Sequence, residues 1–174
     1  EPSLKITYVQ PKDFTGLLRY VRNILVVTID PTAYTKVSVG YENNVWARGQ
    51  VVVSLKAPNT ESIVACYKTH EKALVNFFVK VEMNRAIEQL QKEYSMVVMD
   101  NLKSDLNVML NAPANFTYYK DTTDFFWSSN NANTGRMDLI VYTFPYTDPN
   151  TFTEEYLVAK RDSVLKANLP GSFP

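Results

Sequence analysis

The chain contains one cysteine, Cys66, and one histidine, His70. One cysteine excludes an internal disulfide, and it neither supports nor excludes an oxidising compartment. One histidine and one cysteine fall short of the three or four ligands a zinc ion takes, so no metal site is expected. A Ser-His-acid triad would depend on His70, which falls in a helical pattern with no Gly-x-Ser-x-Gly elbow beside any serine. Glycine is scarce, with five residues, and none forms a Gly-x-Gly-x-x-Gly fingerprint or a P-loop. That removes the standard nucleotide cradles, and no cofactor is expected. No apolar run reaches the roughly eighteen residues of a membrane helix, and no signal peptide is visible. Charge of either sign is not in surplus: 18 basic residues face 18 acidic ones. The chain therefore carries no electrostatic footprint for nucleic acid and no long-range attraction to an anionic membrane.

What is present is ordinary globular material. The 174 residues are 45% hydrophobic and 21% charged, which suits a single domain over residues 1–174 with a sizeable core. Cys66 lies in the run Ile63-Val64-Ala65-Cys66-Tyr67 and reads as a buried small hydrophobe. The chain opens on Glu1-Pro2-Ser3 without a methionine and closes on Leu169-Pro170-Gly171-Ser172-Phe173-Pro174. It reads as a fragment of a longer protein.

Periodicity predicts the elements. Ser3 to Gln10 alternates weakly, as a short strand would. Pro11-Lys12-Asp13 opens a helix with Asp13 as cap and Leu17, Leu18 and Val21 on one face. Ile24 to Ile29 is a continuous apolar run, the pattern of a strand buried on both faces. Lys36 to Tyr41 and Val45 to Leu55 alternate around the Asn43-Asn44 turn as a strand pair. Asn59 or Thr60 caps a long helical region reaching about Tyr94, with Thr69-His70 as a point of division. Within it, Phe77 to Arg85 carries apolar residues around most of the helix, implying burial on more than one side. A further helix covers about Ser95 to Leu102. Short strands follow at Leu106–Leu110, Phe116–Tyr119, Asp124–Ser129 and Met137–Phe144. A last helix runs from Thr153 to Ala167, with Thr153 as cap and Pro170-Gly171 as stop. Hairpin-like pairs outnumber βαβ units, so the fold class is α+β, a mostly antiparallel sheet with helices packed on one face.

Few constellations suggest chemistry. Asp121, Asp124, Asp138 and Asp148 fall in the second half, and their spacing singles out no acid–base pair. Phe125-Phe126-Trp127 runs into the turn Asn130-Asn131-Ala132-Asn133-Thr134-Gly135, with Arg136 beyond. Aromatic faces beside amide and guanidinium donors suit a sugar or peptide site, so Trp127, Asn130, Asn131 and Arg136 are candidate ligand contacts. The plainer reading is a buried aromatic strand feeding a hairpin. Trp46 and Arg48 form a similar aromatic–cation pair. Tyr142 to Pro149 is stiffened by two prolines. It is either a rigid connection or a partner-facing loop presenting Tyr142, Tyr146 and Asp148.

Several stretches resemble a family of Bacteroidota envelope lipoproteins described only as a domain of unknown function. The resemblance rests on Asn43 and Val45-Trp46-Ala47-Arg48, on Phe77 to Ile87, on Trp127-Ser128-Ser129-Asn130-Asn131 with Thr134-Gly135-Arg136, and on Tyr142 to Pro170. It covers most of the chain. Members carry a lipoprotein signal and cysteine, and further sequence before and after the part matched here. The resemblance implies lipid anchoring at the cell envelope, in the outer membrane or periplasm, through an anchor outside this chain. It brings no catalytic residue. It also implies O-glycosylation at Asp-Ser/Thr followed by a small or apolar residue. Asp121-Thr122-Thr123 fits, which makes Thr122 the candidate acceptor, whereas Asp162-Ser163-Val164 falls inside a predicted helix.

The expected function is a non-enzymatic envelope lipoprotein, an accessory or interaction subunit with a protein partner. A glycan- or peptide-binding module using Trp127 and its neighbours is the first alternative. A hydrolase built on paired carboxylates is the second.

Overall fold

The computed structural model describes residues 4–169, and the chain divides into two compact units, Glu1–Ile87 and Glu88–Pro174. The sequence alone suggested one domain. The expected α+β class holds, and three of the four strand pairings are antiparallel. The strands form two three-stranded sheets rather than one.

In the N-terminal unit, β1 (Asn23–Ile29), β2 (Ser38–Asn43) and β3 (Val51–Ala57) are ordered β1-β3-β2. β1 runs parallel to β3, and β2 antiparallel to it. The apolar run of β1 reads as a central strand, yet β1 lies at the edge. Its burial alternates, and Leu25, Val27 and Ile29 are 41–46% exposed. β3 occupies the centre instead, with Val51, Val52, Val53 and Leu55 all buried. Val51 and Val53 pack with Phe78 of α1 (Thr60–Lys92), flanked by Leu74, Phe77 and Val81. α1 buries one stripe only: Met83 and Ile87 are exposed. Burial on more than one side, expected for Phe77 to Arg85, is absent because within this unit the helix backs a single sheet.

Local chemistry explains where other expectations failed. Asn59 caps α1 by accepting from the Ser62 amide at 2.9 Å. Thr69 does not divide the helix, because its hydroxyl donates back to the Ala65 carbonyl at 2.9 Å, a bond that leaves the helix running. Asp13 caps nothing, and the expected helix there is two short 3-10 turns, Pro11–Asp13 and Gly16–Tyr20. Gly16 separates them at φ +53, outside the right-handed helical region. Residues 4–10 form no strand, and Ile6 and Tyr8 are exposed.

Gln50 anchors the entry to β3. It is 1% exposed, donates to the carbonyls of Arg19 and Val21 at 2.7 Å each, and accepts from the Trp46 amide at 3.0 Å. Arg85 ties α1 to the start of β1. Its guanidinium meets Glu82 Oε1 at 2.6 Å, Asn23 Oδ1 at 2.8 Å and the Arg22 carbonyl at 3.2 Å.

In the C-terminal unit, α2 (Met96–Leu106) precedes a meander of β4 (Tyr118–Thr122), β5 (Phe125–Ser129) and β6 (Asp138–Tyr142), and α3 (Glu154–Asn168) follows. Ser95 caps α2 and also donates to the Phe116 carbonyl at 2.5 Å. Asn107, at φ +54, ends the helix, so the strand expected at Leu106–Leu110 does not form. Successive strand residues face opposite sides. On one side Phe126 joins Val98, Leu102, Ala112 and Phe116, with Leu139 and Val141 beside them. At 1% exposure, Phe126 contributes about 1.5–3 kcal/mol by leaving water. The other side carries Lys120, Trp127 and Ile140 in one cross-strand row. α3 lies along that side, where Lys120 Nζ donates to the Asn168 carbonyl at 2.6 Å. Helices thus cover both faces of this sheet, as its doubly buried central strand β5 requires. Thr153 caps α3 as expected, while the predicted stop at Pro170-Gly171 lies outside the described residues.

Candidate functional site

The α3 side of the second sheet gathers several of the candidate residues. Trp127 on β5 is half-buried and pairs across the strands with Ile140. Its indole N–H donates to Asp138 Oδ1 at 3.1 Å. Arg136 lies 6.0 Å from the Trp127 ring, and its Nε meets both Asp138 oxygens at 3.1–3.2 Å. Burial pushes the Asp138 carboxyl up, but the Arg136, Ser129 and Trp127 donors outweigh it and hold the group below its ordinary range. Trp127 and Arg136 are therefore brought together, through Asp138.

The amides of the loop play another part. Asn130 Oδ1 accepts from the Met137 amide at 3.0 Å and the Ala132 amide at 3.2 Å. Asn130 holds the hairpin loop closed. Asn131 takes the left-handed conformation at φ +47, with its amide on Ser129 Oγ at 3.0 Å. These two asparagines follow the plainer reading, a loop that satisfies its own backbone.

The same sheet face continues into a groove. Ile140 and Tyr142 of β6, Phe152, and Leu157, Val158, Arg161 and Leu165 of α3 line an open cavity of about 640 Å³, with Glu154 at its rim. Arg161 leans on Asp162 at 2.7 Å. Tyr142, Phe144 and Tyr156 follow one another at ring-centroid distances of 6.0 and 6.1 Å, and Lys160 lies 5.0 Å over Phe144. Tyr146 stacks on Phe152 at 5.4 Å, and both are exposed, at 64% and 74%. Asp148 fixes the turn that presents Phe152: its carboxylate accepts from the Asn150 amide at 2.8 Å, and its carbonyl from Thr151 Oγ1 at 2.6 Å. Tyr142 lines the groove, Tyr146 extends its rim, and Asp148 shapes it from behind.

Other candidates stand elsewhere. In the N-terminal unit, Trp46 meets Phe14 edge-on at 5.5 Å, and Arg48 is exposed. Cys66 is half-buried and His70 exposed, both on α1. Thr122 is exposed at the end of β4.

One pairing had no sequence signal. Asp105, at the end of α2, hydrogen-bonds to Asp121 of β4. Burial, then the bond to Asp105 and its charge, push the Asp121 carboxyl up, while Ser104 and Asp121 lower Asp105. The two carboxyls do not line the groove. The chain gap of 16 residues between them explains why spacing could not find them. Among the described residues, no cluster of His, Cys, Asp or Glu could hold a metal ion, and no helix is long and apolar enough to cross a membrane.

Residues 1–91 match a family model described as Domain of unknown function (DUF8532), and residues 95–174 match another described as Domain of unknown function (DUF4837). No curated protein and no solved structure matches the chain.

Proposed function

We propose that this chain, which belongs to the DUF8532 family of domains of unknown function, is a non-enzymatic interaction subunit of a cell-envelope assembly. Its partner-facing surface is the groove between β6 and α3. The observation that carries the reading is the exposed Tyr146–Phe152 stack set on the rim of an apolar trough. Interface centres concentrate aromatic and arginine side chains around apolar pockets, with charge at the edge. Ile140, Tyr142 and Leu157 supply that centre, and Glu154, Lys160 and Arg161 supply charge around it. The groups best suited to chemistry on this face, Asp138 and Arg136, hold each other, which supports a binding role. The envelope location and the lipid anchor rest on the resemblance to Bacteroidota lipoproteins.

The test is purification of the full-length protein from its native envelope in mild detergent, with and without Leu157→Asp and Phe152→Ala. A partner recovered in fixed proportion and lost in both variants supports the reading. A solitary protein, or a partner indifferent to both changes, overturns it.

A glycan- or peptide-binding role is the second reading. It is favoured by the Trp127 ring lying on the same sheet face as the groove residue Ile140. Loss of glycan or peptide binding on Trp127→Ala, with the partner retained, would replace the first reading with this one. The hydrolase reading would have to rest on Asp105 and Asp121. It is the least supported, because those carboxyls stand apart from the groove.

A further inference from the structure

The N-terminal unit leaves one sheet edge fully open. Every residue of β2 is exposed, including Val39 and Tyr41 at 60% each. Proteins guard such edges with prolines, lysines, bulges or cover, because a row of unpaired backbone groups templates another strand. β2 has no proline, no lysine and no bulge within Ser38–Asn43.

The hydrogen-bond parity shows which groups are free. The Val51 amide donates to the Arg22 carbonyl at 2.8 Å, so odd-numbered residues of β3 face β1. The Asn44 amide donates to the Gln50 carbonyl at 2.8 Å, so even-numbered residues of β2 face β3. In an antiparallel ladder the alternate residues point away. Val39 and Tyr41 therefore direct their N–H and C=O groups outward, and their side chains share the sheet face that α1 covers at its centre, where Tyr41 lies 5.2 Å from the Phe77 ring.

We infer that β2 pairs with β2 of a second copy of this chain, antiparallel about a two-fold axis at Val39. Edge-to-edge pairing must keep each face continuous, which restricts the register to shifts of two residues. With Val39 opposite Val39 of the second copy, Val37, the residue just before β2, comes opposite Tyr41, an aromatic–β-branched pair of the kind that stabilises sheets. Extending the strand by two residues into the bend that precedes β2 sets Lys36 opposite Glu42 in the same register, an opposite-charge pair formed twice by symmetry. Neither Lys36 nor Glu42 has an ion-pair partner among the described residues. Centring the axis one step away, at Gly40, sets Glu42 opposite Ser38 and loses both ion pairs. The charges therefore choose both the occupant and the register.

Sedimentation of the chain over a concentration series tests this, with circular dichroism to verify folding. The expected result is a reversible monomer–dimer equilibrium. Val39→Pro removes an outward N–H that the β2–β3 ladder does not use, and edge strands accept proline there. It is expected to abolish the dimer and leave the spectrum unchanged. Lys36→Glu sets like charges opposite each other at two symmetric places and is expected to raise the dissociation constant by about tenfold or more. Lys36→Glu combined with Glu42→Lys restores the ion pairs and is expected to recover the dimer. A monomer at every concentration overturns the inference. So does a dimer unmoved by Val39→Pro, or a charge reversal that the double variant does not rescue.

Discussion

The two sheets bury their central strands alike and differ in how far the flanking strands are covered. β4-β5-β6 has α2 on one face and α3 on the other, and its central strand buries Phe125, Phe126, Ser128 and Ser129. β1-β3-β2 has α1 over the middle of one face, and its flanks leave Leu25, Val27, Val39 and Tyr41 exposed. The closed sheet can admit serines to its centre because each finds a carbonyl: Ser128 donates to Tyr118 at 2.9 Å and Ser129 to Met137 at 3.2 Å. The open sheet leaves the apolar residues of its flanking strands where water reaches them. A sheet that closes on its own helices specifies a core, whereas one that leaves a row uncovered offers a surface to another chain.

The strongest way to break the comparison is Phe126→Ala. It removes the largest fully buried side chain of the second sheet and should cost about 3–5 kcal/mol. Val27→Thr on the open sheet should change stability by no more than about 0.5 kcal/mol. Denaturant unfolding of both variants checks this, and similar losses would mean that the open flank is covered in solution. Next comes Gln50→Leu, which strands the Arg19 and Val21 carbonyls and the Trp46 amide. Each group left buried without a partner costs about 1–3 kcal/mol, and hydrogen exchange of β3 should report the loss. Ser95→Ala should cost about 0.5–2 kcal/mol by removing the α2 cap, visible as faster exchange at the Val98 amide.

The smallest effect concerns the Asp105–Asp121 pair. The folded Asp121 carboxyl titrates above its ordinary value of 3.8 because of burial and Asp105. Its contribution to stability is therefore present below that value and lost as pH rises through the folded pKa. At neutral pH the pair is repulsive. Asp121→Asn should raise the thermal midpoint slightly at neutral pH and leave it unchanged in acid, where both carboxyls carry protons. A lower midpoint at neutral pH would show that the charged carboxylate is needed.

The predictive value of the sequence varied with the range of the interaction. Asn59 and Thr153 were legible as caps because a cap bonds to its own next turn. The stretch from Tyr142 to Pro149 was legible as a stiff connection between strand and helix, since its two prolines act locally. Trp127 and Arg136 were legible as neighbours across a hairpin, but Asp138, which joins them, was not singled out. Gln50, Arg85 and the Asp105–Asp121 pair gave no signal. Their partners lie 16 to 63 residues away, and no periodicity encodes which distant carbonyl or carboxyl a side chain will meet.

By itself, then, the sequence determined the α+β class, the starts of the three α-helices and the absence of standard nucleotide-binding motifs, all of which follow from residue type and short spacing. Only the tertiary structure decided which apolar strand is central. Ile24 to Ile29 reads as buried on both faces and Val45 to Leu55 as an alternating strand, yet the order β1-β3-β2 buries Val51 to Val53 and leaves β1 at the edge. Strand order is a matter of long-range pairing and of which faces the helices reach, and a run of valines carries no record of either.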